Sequence, residues 1–154
     1  MVTEILSMMT VLIIDQFMKQ IAVGFYNMMP ILKIPGIIEF TVLRNDGMAF
    51  GLLRGHRFLV IGIVAVVLIA VFYISKSMHN VPKRQQICIF MIIGGGVSNL
   101  LDRIFRGGVI DYINVKFFKF AAFNLADVCV CLGCFFLIFF MLLGNRKERK
   151  NKAD

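Results

Sequence analysis

Histidine and acidic residues are scarce in this sequence, and their scarcity excludes several kinds of site. The chain has two histidines, and its nine Asp and Glu residues are outnumbered by 17 Lys and Arg residues. His56 and His79 fall in separate links between hydrophobic runs, so neither is placed to join a metal site or to activate Ser98 as a nucleophile. We therefore expect no metal ion, and the sequence does not support a serine peptidase.

Cysteine is sparse as well, and its positions do not form a zinc site. Cys88 lies in one hydrophobic run, and Cys129, Cys131 and Cys134 lie in another. Cys131 and Cys134 would share a helix face, but no histidine or fourth thiol is placed nearby to complete a ligand set. We interpret the cysteines as small apolar packing residues.

The sequence also has too few polar residues for a soluble domain. It is 59% hydrophobic and 17% charged, with a mean hydropathy of +0.83, whereas soluble domains are about 45–50% apolar and about 25% charged. The net charge of +8 could suggest nucleic acid, but the basic residues lie between and after hydrophobic runs and are not interleaved with stacking aromatics. A single-domain membrane protein that binds no nucleic acid fits this composition.

Four hydrophobic runs approach the roughly 20 residues that a helix needs to cross a bilayer. They lie near residues 5–25, 58–74, 86–101 and 123–143, and a basic tail follows at 144–154. The first run lacks a basic leading segment and carries Asp15 and Lys19 within it, so we expect it to stay in the mature protein. The predicted fold class is an α-helical integral membrane protein with four transmembrane helices.

Basic residues predict the orientation of these helices. The link between the second and third runs and the tail at 144–154 are both densely basic, which is typical of cytoplasmic segments. With four spans, both termini would then be cytoplasmic. The links near 26–57 and 102–122 would face the outside.

The first outer link has the pattern of a β-hairpin or small sheet. The stretch "IIEFTVLRNDGMAFGLL" begins with β-branched and aromatic residues, passes the turn signal Asn45-Asp46-Gly47 and resumes as an apolar segment. So many exposed apolar groups would be costly in water, and we expect the hairpin to rest on the membrane surface or to cap a cleft. An ordinary surface hairpin without a substrate role stays open on the pattern alone.

Ionisable residues inside the predicted spans need partners, because an isolated charge in lipid is costly. Asp15 and Lys19 stand one helical turn apart, so they can form an ion pair on one helix face. A functional alternative has one of them holding the outer loops or a lipid headgroup. Both interpretations stay open at this point.

The stretch "GGGVSNLLDRIFRGG" closes the third span. Gly94, Gly95 and Gly96 would let helices approach closely, while Asn99 and Arg103 share a helix face that Asp102 can join. The glycines lack the spacing and the strand-to-helix context of a nucleotide-binding loop, and we expect no cofactor. Asn99 and Arg103 could form a helix-terminal network or part of a site.

Asp111 and Asp127 are the strongest candidates for chemistry. Both lie near the outer ends of apolar segments, in "VIDYI" and "FNLADV". Two carboxylates within a few ångström of each other keep one shared proton, which supplies an acid and a base together. Such a pair can activate a water against a peptide carbonyl without a covalent intermediate.

Five motifs in this sequence resemble those of the lipoprotein signal peptidases, the bacterial signal peptidase II family. They are "DQFMK" at 15–19, "RNDGMAFG" at 44–51, "GGGVSNLLDR" at 94–103, "VIDYI" at 109–113 and "FNLADV" at 123–128. They occur in the family's order, and the likeness covers nearly the whole chain apart from the basic tail. Two positions depart from the family pattern: Ser98 stands where a glycine is usual, and Met48 where a small residue is usual.

The resemblance implies an aspartic endopeptidase of the bacterial cytoplasmic membrane, with its active site near the outer face. Such enzymes cut prolipoproteins just before a cysteine that carries a diacylglyceryl group. The implied fold is four helices with a small extracytoplasmic sheet between the first two, and we expect a monomer that contacts membrane lipid. Asp111 and Asp127 match the family's catalytic pair. The residues that match substrate-binding or orienting positions are Asn45, Gly47, Asn99, Arg103 and Asn124, and the structural polar residues are Asp15, Lys19 and Asp102.

Two other functional classes remain compatible with buried charges. A small transporter or proton-conducting protein would use Asp, Lys and Arg groups as a relay through the membrane. A non-catalytic membrane scaffold would use the same groups for helix association alone. Flux through liposomes would indicate the first class, and full tolerance of Asp111→Asn would indicate the second.

Overall fold

A computed structural model describes residues 2–26, 33–34, 36–48, 52–77, 81–116 and 121–151 of the chain. Within these ranges the chain forms four α-helices and three β-strands. The helices are α1 (Val2–Tyr26), α2 (Arg57–Ser77), α3 (Lys83–Phe105) and α4 (Leu125–Asn151). The strands are β1 (Lys33–Ile34), β2 (Ile38–Asn45) and β3 (Val109–Val115).

The helices confirm the predicted membrane spans. In the described part of the chain, four segments are long and apolar enough to cross a bilayer: Val2–Phe25, Arg57–Ser77, Lys83–Phe105 and Leu125–Leu143. Helix α4 continues beyond its apolar segment to Asn151, into the stretch assigned from sequence to the basic tail. The Lys, Arg and Glu residues of that stretch are good helix formers, which explains the extension.

Helix α3 lies at the centre of the bundle, and its glycines allow the close contacts predicted from sequence. A Cβ at Gly94 would lie 2.7 Å from the Met8 carbonyl oxygen of α1, and a Cβ at Gly95 would lie 2.6 Å from the Ala126 carbonyl oxygen of α4. At Gly96, a Cβ would meet a Leu68 side-chain carbon of α2 at 2.6 Å. Each glycine therefore lets a different helix approach α3.

The sheet confirms the predicted strand between α1 and α2 and adds a strand from elsewhere in the chain. Strand β2 is central and pairs antiparallel with β1 and with β3, which lies between α3 and α4. Asn45 ends β2 opposite Val109, and Leu43 pairs with Asp111. Among the described residues, Asn45-Asp46-Gly47 ends strand β2 and does not connect two paired strands. The sheet's third strand thus carries Asp111 against the strand that ends at Asn45.

The distribution of polar and apolar side chains is inverted relative to that of a soluble helix bundle. Large apolar side chains such as Phe17, Val66, Phe105 and Ile138 are exposed on the outward faces of the helices, as a lipid environment requires. Most of the largest fully buried side chains are polar or charged: Lys19, Asn124, Asp15, Asp102 and Ser98, with Val60 the apolar one. These polar groups cluster where α3 ends and α4 begins.

The chain reverses sharply between α3 and β3. Helix α3 ends at Phe105, Arg106 forms its C-cap, and Gly107 follows with φ of 81°. This left-handed conformation suits glycine because a Cβ would be strained there. The reversal places strand β3 next to the end of α3, so that residues from both elements share one site.

Candidate active site

The backbone brings Asp111 and Asp127 to the same place. Phe123, just before α4, forms a β-bridge with Ile113 of β3. The Ile113 nitrogen lies 2.9 Å from the Phe123 carbonyl oxygen, and the Phe123 nitrogen lies 3.0 Å from the Ile113 carbonyl oxygen. The Leu125 N–H also donates to the Tyr112 hydroxyl at 3.2 Å. The start of α4, which carries Asp127, is thereby held against β3, which carries Asp111.

Asn124 connects the two carboxylates directly. Its side-chain Nδ2 donates to Asp111 Oδ1 at 2.8 Å, and its backbone N–H donates to Asp127 Oδ2 at 3.1 Å. Asn124 is fully buried, as Asp111 nearly is. A single residue at the N-cap of α4 therefore fixes the relative placement of both groups.

Two further asparagines orient the remaining carboxylate oxygens. Asn99 Nδ2 of α3 donates to Asp127 Oδ1 at 2.8 Å, and Asn45 Nδ2 at the end of β2 donates to Asp111 Oδ2 at 3.2 Å. Each of the four carboxylate oxygens thus accepts a hydrogen bond from a neighbour. Because both side chains are held at both oxygens, their rotamers are restricted before any substrate binds.

The environment of Asp111 favours its protonated form. The pKa of Asp111 is raised to about 7 from its ordinary value of 3.8, chiefly by burial and secondly by the nearby carboxylate of Asp127. The hydrogen bonds from Asn45 and Asn124 and the charge of Lys19 act the other way. A carboxyl that titrates near neutral pH can act as a general acid.

Arg103 and Gly47 close one side of the site. Arg103 donates to the Gly47 carbonyl at 3.0 Å and to the Asn99 carbonyl at 3.1 Å, which ties the segment after β2 to α3. The Gly47 N–H donates to Asn45 Oδ1 at 3.1 Å, so the Asn45 amide must turn its NH₂ group toward Asp111. A Cβ at Gly47 would lie 2.7 Å from the Leu52 carbonyl oxygen, which explains the glycine.

A buried ion cluster lies next to this site. The predicted ion pair between Lys19 and Asp15 is confirmed at 2.7 Å, and Asp102 joins it at 2.8 Å from Lys19. All three side chains are completely buried. The sequence interpretation placed Asp102 with Asn99 and Arg103, whereas its carboxylate contacts Lys19, Gln16, Arg106 and the Ile110 N–H.

Sequence reasoning missed three members of this cluster. Gln16 donates to Ser98 Oγ at 2.8 Å and to Asp102 Oδ1 at 3.1 Å, and Ser98 Oγ donates to Asp15 Oδ2 at 2.6 Å. Arg106 forms an ion pair with Asp102 and donates to Gln16 Oε1 at 2.9 Å. The spacing of Arg106 four residues after Asp102 was a usable signal. Gln16 next to Asp15 carried none, because its partners come from another helix.

Arg57 was also missed. It donates from Nε to the Arg103 carbonyl at 2.7 Å and from a terminal nitrogen to the Ile104 carbonyl. These carbonyls belong to the last turn of α3, where helical partners are lacking. Arg57 at the start of α2 therefore caps the end of α3 that carries Arg103.

The chain is similar to known proteins over most of its length. A family model described as signal peptidase (SPase) II matches residues 7–143. A lipoprotein signal peptidase of Halalkalibacterium halodurans is 32% identical, with 94% of each chain covered, and one of Caldicellulosiruptor bescii is 35% identical, with 91% of each covered. A solved structure of a bacterial membrane enzyme superposes with a TM-score of 0.81 at 30% identity, covering 96% of this chain and 92% of that one. The chain belongs to the signal peptidase II family, whose members are membrane aspartic peptidases.

Proposed function

We propose that this chain removes the signal peptide of prolipoproteins by hydrolysing the bond just before a diacylglyceryl-modified cysteine, with Asp111 and Asp127 as the catalytic pair. The observation that carries this proposal is the link through Asn124, which hydrogen-bonds to both carboxylates. Family membership supports a peptidase over the transporter alternative. The substrate class follows from the relatives, which are named lipoprotein signal peptidases.

In the proposed resting state, Asp111 carries the shared proton and Asp127 is ionised. The raised pKa of Asp111, about 7, supports this assignment. Asp127 lies in the first turn of α4, where it accepts the Asn124 N–H as well as the Asn99 amide. Backbone N–H groups at a helix N-terminus favour a negative charge.

Hydrolysis then takes two proton-balanced steps. Asp127 takes a proton from a water whose oxygen bonds to the scissile carbonyl carbon, while Asp111 gives its proton to the carbonyl oxygen. In the second step, Asp127 gives its new proton to the amide nitrogen, and Asp111 takes a proton back from a hydroxyl as the C–N bond breaks. Both carboxyl groups return to their starting states, and no covalent enzyme intermediate forms.

The surrounding residues have proposed supporting roles. Asn45, Asn99 and Asn124 orient the two carboxylates, because each donates an amide hydrogen to one or both of them. Arg103 holds the segment of Gly47 over the site. In this proposal, the fixed carboxylates receive the scissile carbonyl carbon between the acid and the base, and such positioning contributes to the rate.

The proposed topology puts both termini in the cytoplasm and the active site near the outer face. Its support is the dense positive charge of the link between α2 and α3 and of the C-terminal tail. The sheet and the aspartate pair lie at the other end of α3 from Lys83 and Arg84. A lipidated cysteine would then sit at the membrane surface with its acyl chains among the helices, and we propose that the enzyme works as a monomer.

The test is cleavage of a diacylglyceryl-modified prolipoprotein by purified wild type, Asp111→Asn and Asp127→Asn, with circular dichroism to establish that each variant stays helical. We expect wild type to cut and each variant to lose at least about 10²-fold in rate. Asp46→Asn is the matched control, since Asp46 pairs with Arg54 at the surface. Cleavage by either site variant at the wild-type rate would make that aspartate structural.

A further inference from the structure

Lys19 has partners that its pairing with Asp15 does not explain. Besides the two carboxylates, its Nζ donates to Asn99 Oδ1 at 2.8 Å. An ammonium group has three donors and no acceptor, so these three partners use its full capacity. The side chain is completely buried, and its charge is therefore directed only at protein groups.

The contact with Asn99 fixes the direction of that amide. Because Lys19 can only donate, the Asn99 oxygen must face Lys19, and the Asn99 NH₂ group then faces Asp127. A rotated amide would place its NH₂ against the ammonium and its oxygen against the carboxylate. Asn124 also donates to Asn99 Oδ1, at 3.1 Å, so this oxygen accepts from two donors, of which Lys19 is the charged one and the closer one.

The two carboxylates beside Lys19 hold the backbone of the aspartate pair. Asp15 Oδ1 accepts the Ala126 N–H at 2.9 Å, and Asp102 Oδ2 accepts the Ile110 N–H at 3.2 Å. Ala126 directly precedes Asp127, and Ile110 directly precedes Asp111. Lys19 therefore bridges the two carboxylates on which the adjacent peptide groups of both aspartates depend.

We propose that Lys19 is a positioning residue for peptide hydrolysis, acting through the Asn99 amide on Asp127. This inference rests on the proposed function of the aspartate pair. A positioning role can be distinguished from a purely structural one. If Lys19 were only part of a structural ion pair, its loss would change the amount of folded enzyme and leave the turnover of the folded fraction unchanged. A positioning role lowers kcat in the folded enzyme.

The decisive variant is Lys19→Met, which removes the donors and the charge at similar volume. Because it leaves Asp15 and Asp102 without their shared cation, a second variant joins Lys19→Met to Asp15→Asn. The asparagine restores the charge balance and keeps an oxygen for the Ala126 N–H. Ser98→Ala is the matched control, because it removes a hydrogen bond to Asp15 and leaves the contact between Lys19 and Asn99 in place.

Cleavage kinetics are measured per folded enzyme for these variants and for Asn99→Ala with and without Lys19→Met. We expect Lys19→Met and the charge-balanced variant to lose roughly 10²-fold in kcat with little change in KM. In the Asn99→Ala background, Lys19→Met should add less than about threefold, because contacting residues that act in one chain are not additive. Ser98→Ala should keep the wild-type kcat.

The outcomes separate this inference from the proposed function. Full kcat per folded enzyme in either Lys19 variant, or multiplicative losses in the double variant with Asn99→Ala, would overturn the positioning role while the peptidase assignment stands. Wild-type cleavage rates in Asp111→Asn or Asp127→Asn would overturn the function itself. Loss of kcat that vanishes in the Asn99→Ala background supports Lys19 as a positioning residue.

Discussion

Asn124 and Asp127 hydrogen-bond to each other in both directions at the start of α4. The Asp127 N–H donates to Asn124 Oδ1 at 3.0 Å, and the Asn124 N–H donates to Asp127 Oδ2 at 3.1 Å. This reciprocal arrangement is a capping box, which satisfies two backbone donors at a helix N-terminus. In this protein the capping box both starts α4 and positions a proposed catalytic carboxylate.

The double role of Asn124 can be separated by substitution. Asn124→Ser keeps an oxygen that can cap α4 but removes the amide that donates to Asp111 and Asn99. We expect nearly unchanged thermal stability and a loss of roughly 10²-fold in kcat. Asn124→Ala should lose about 1 kcal/mol more in stability, because the cap is gone as well. Equal stability of the two variants in thermal unfolding would contradict the capping role, and full turnover by Asn124→Ser would contradict the orienting role.

Asp111 makes both activity and stability depend on pH. Its pKa is about 7 in the folded protein and 3.8 ordinarily, so the folded state binds this proton more tightly than the unfolded chain. Protonated Asp111 therefore adds up to about 4 kcal/mol to the free energy of unfolding. This contribution is fully present below about pH 4 and is lost as the pH rises through 7. Cleavage should decline above about pH 7 as the acid is lost.

The measurement is unfolding of wild type and Asp111→Asn in mixed detergent between about pH 4 and about pH 8. The variant cannot titrate at this position. The stability of wild type relative to the variant should therefore fall with rising pH over this range. Parallel pH curves for the two proteins would show that Asp111 has an ordinary pKa in the folded state.

Gly95 is predicted to be irreplaceable for steric reasons. A Cβ there would lie 2.6 Å from the Ala126 carbonyl oxygen, a backbone atom that cannot rotate away. We expect Gly95→Ala to cost about 1–3 kcal/mol and to lower turnover, because it displaces the turn of α4 that carries Asp127. Gly62→Ala on α2 is the control, since nothing lies within 4 Å of its Cβ position. Equal melting temperatures of the two variants would contradict the close contact between α3 and α4.

Ser98 is predicted to matter for stability and not for turnover. Its hydroxyl donates to Asp15 at 2.6 Å and accepts from Gln16 at 2.8 Å, in a fully buried position. Ser98→Ala should lower the free energy of unfolding by about 1.5–3 kcal/mol, the range for a hydrogen bond to a charged group. Turnover should stay at the wild-type level. An unchanged melting temperature would mean that the hydroxyl contributes nothing to the cluster.

The helices and the ion pair within one helix could be predicted because their signals are local. The length of an apolar run can be read directly from the sequence and compared with the thickness of a bilayer. Asp15 and Lys19 are separated by one helical turn, so their pairing follows from helix geometry. The glycine contacts were also predictable in kind, although the partner helix of each glycine was not. Turn chemistry indicated that β2 ends near Asn45 but not which strand would pair with it.

The features of the site that the sequence did not predict depend on contacts between distant segments of the chain. Asp102 shares a helix with Asn99 and Arg103, yet its position in the bundle turns its carboxylate toward Lys19 of α1. The backbone donors at Ala126 and Ile110 are invisible in a sequence, because every residue except proline carries the same N–H group. The placement of the aspartate pair therefore needed the assembled fold.

The backbone hydrogen bond from Ala126 to Asp15 spans 111 residues and links the last helix to the first. During synthesis, α1 reaches the membrane long before α4 exists, and its Asp15 then lacks that donor. Lys19 likewise lacks its Asn99 contact until α3 arrives, 80 residues later. Ionisable groups in lipid are costly without partners, so a nascent chain without α4 should be short-lived in a pulse-chase measurement. Insertion of α4 thus supplies the last partner of Asp15 and also brings in Asp127. The same step that completes membrane insertion therefore completes the aspartate pair.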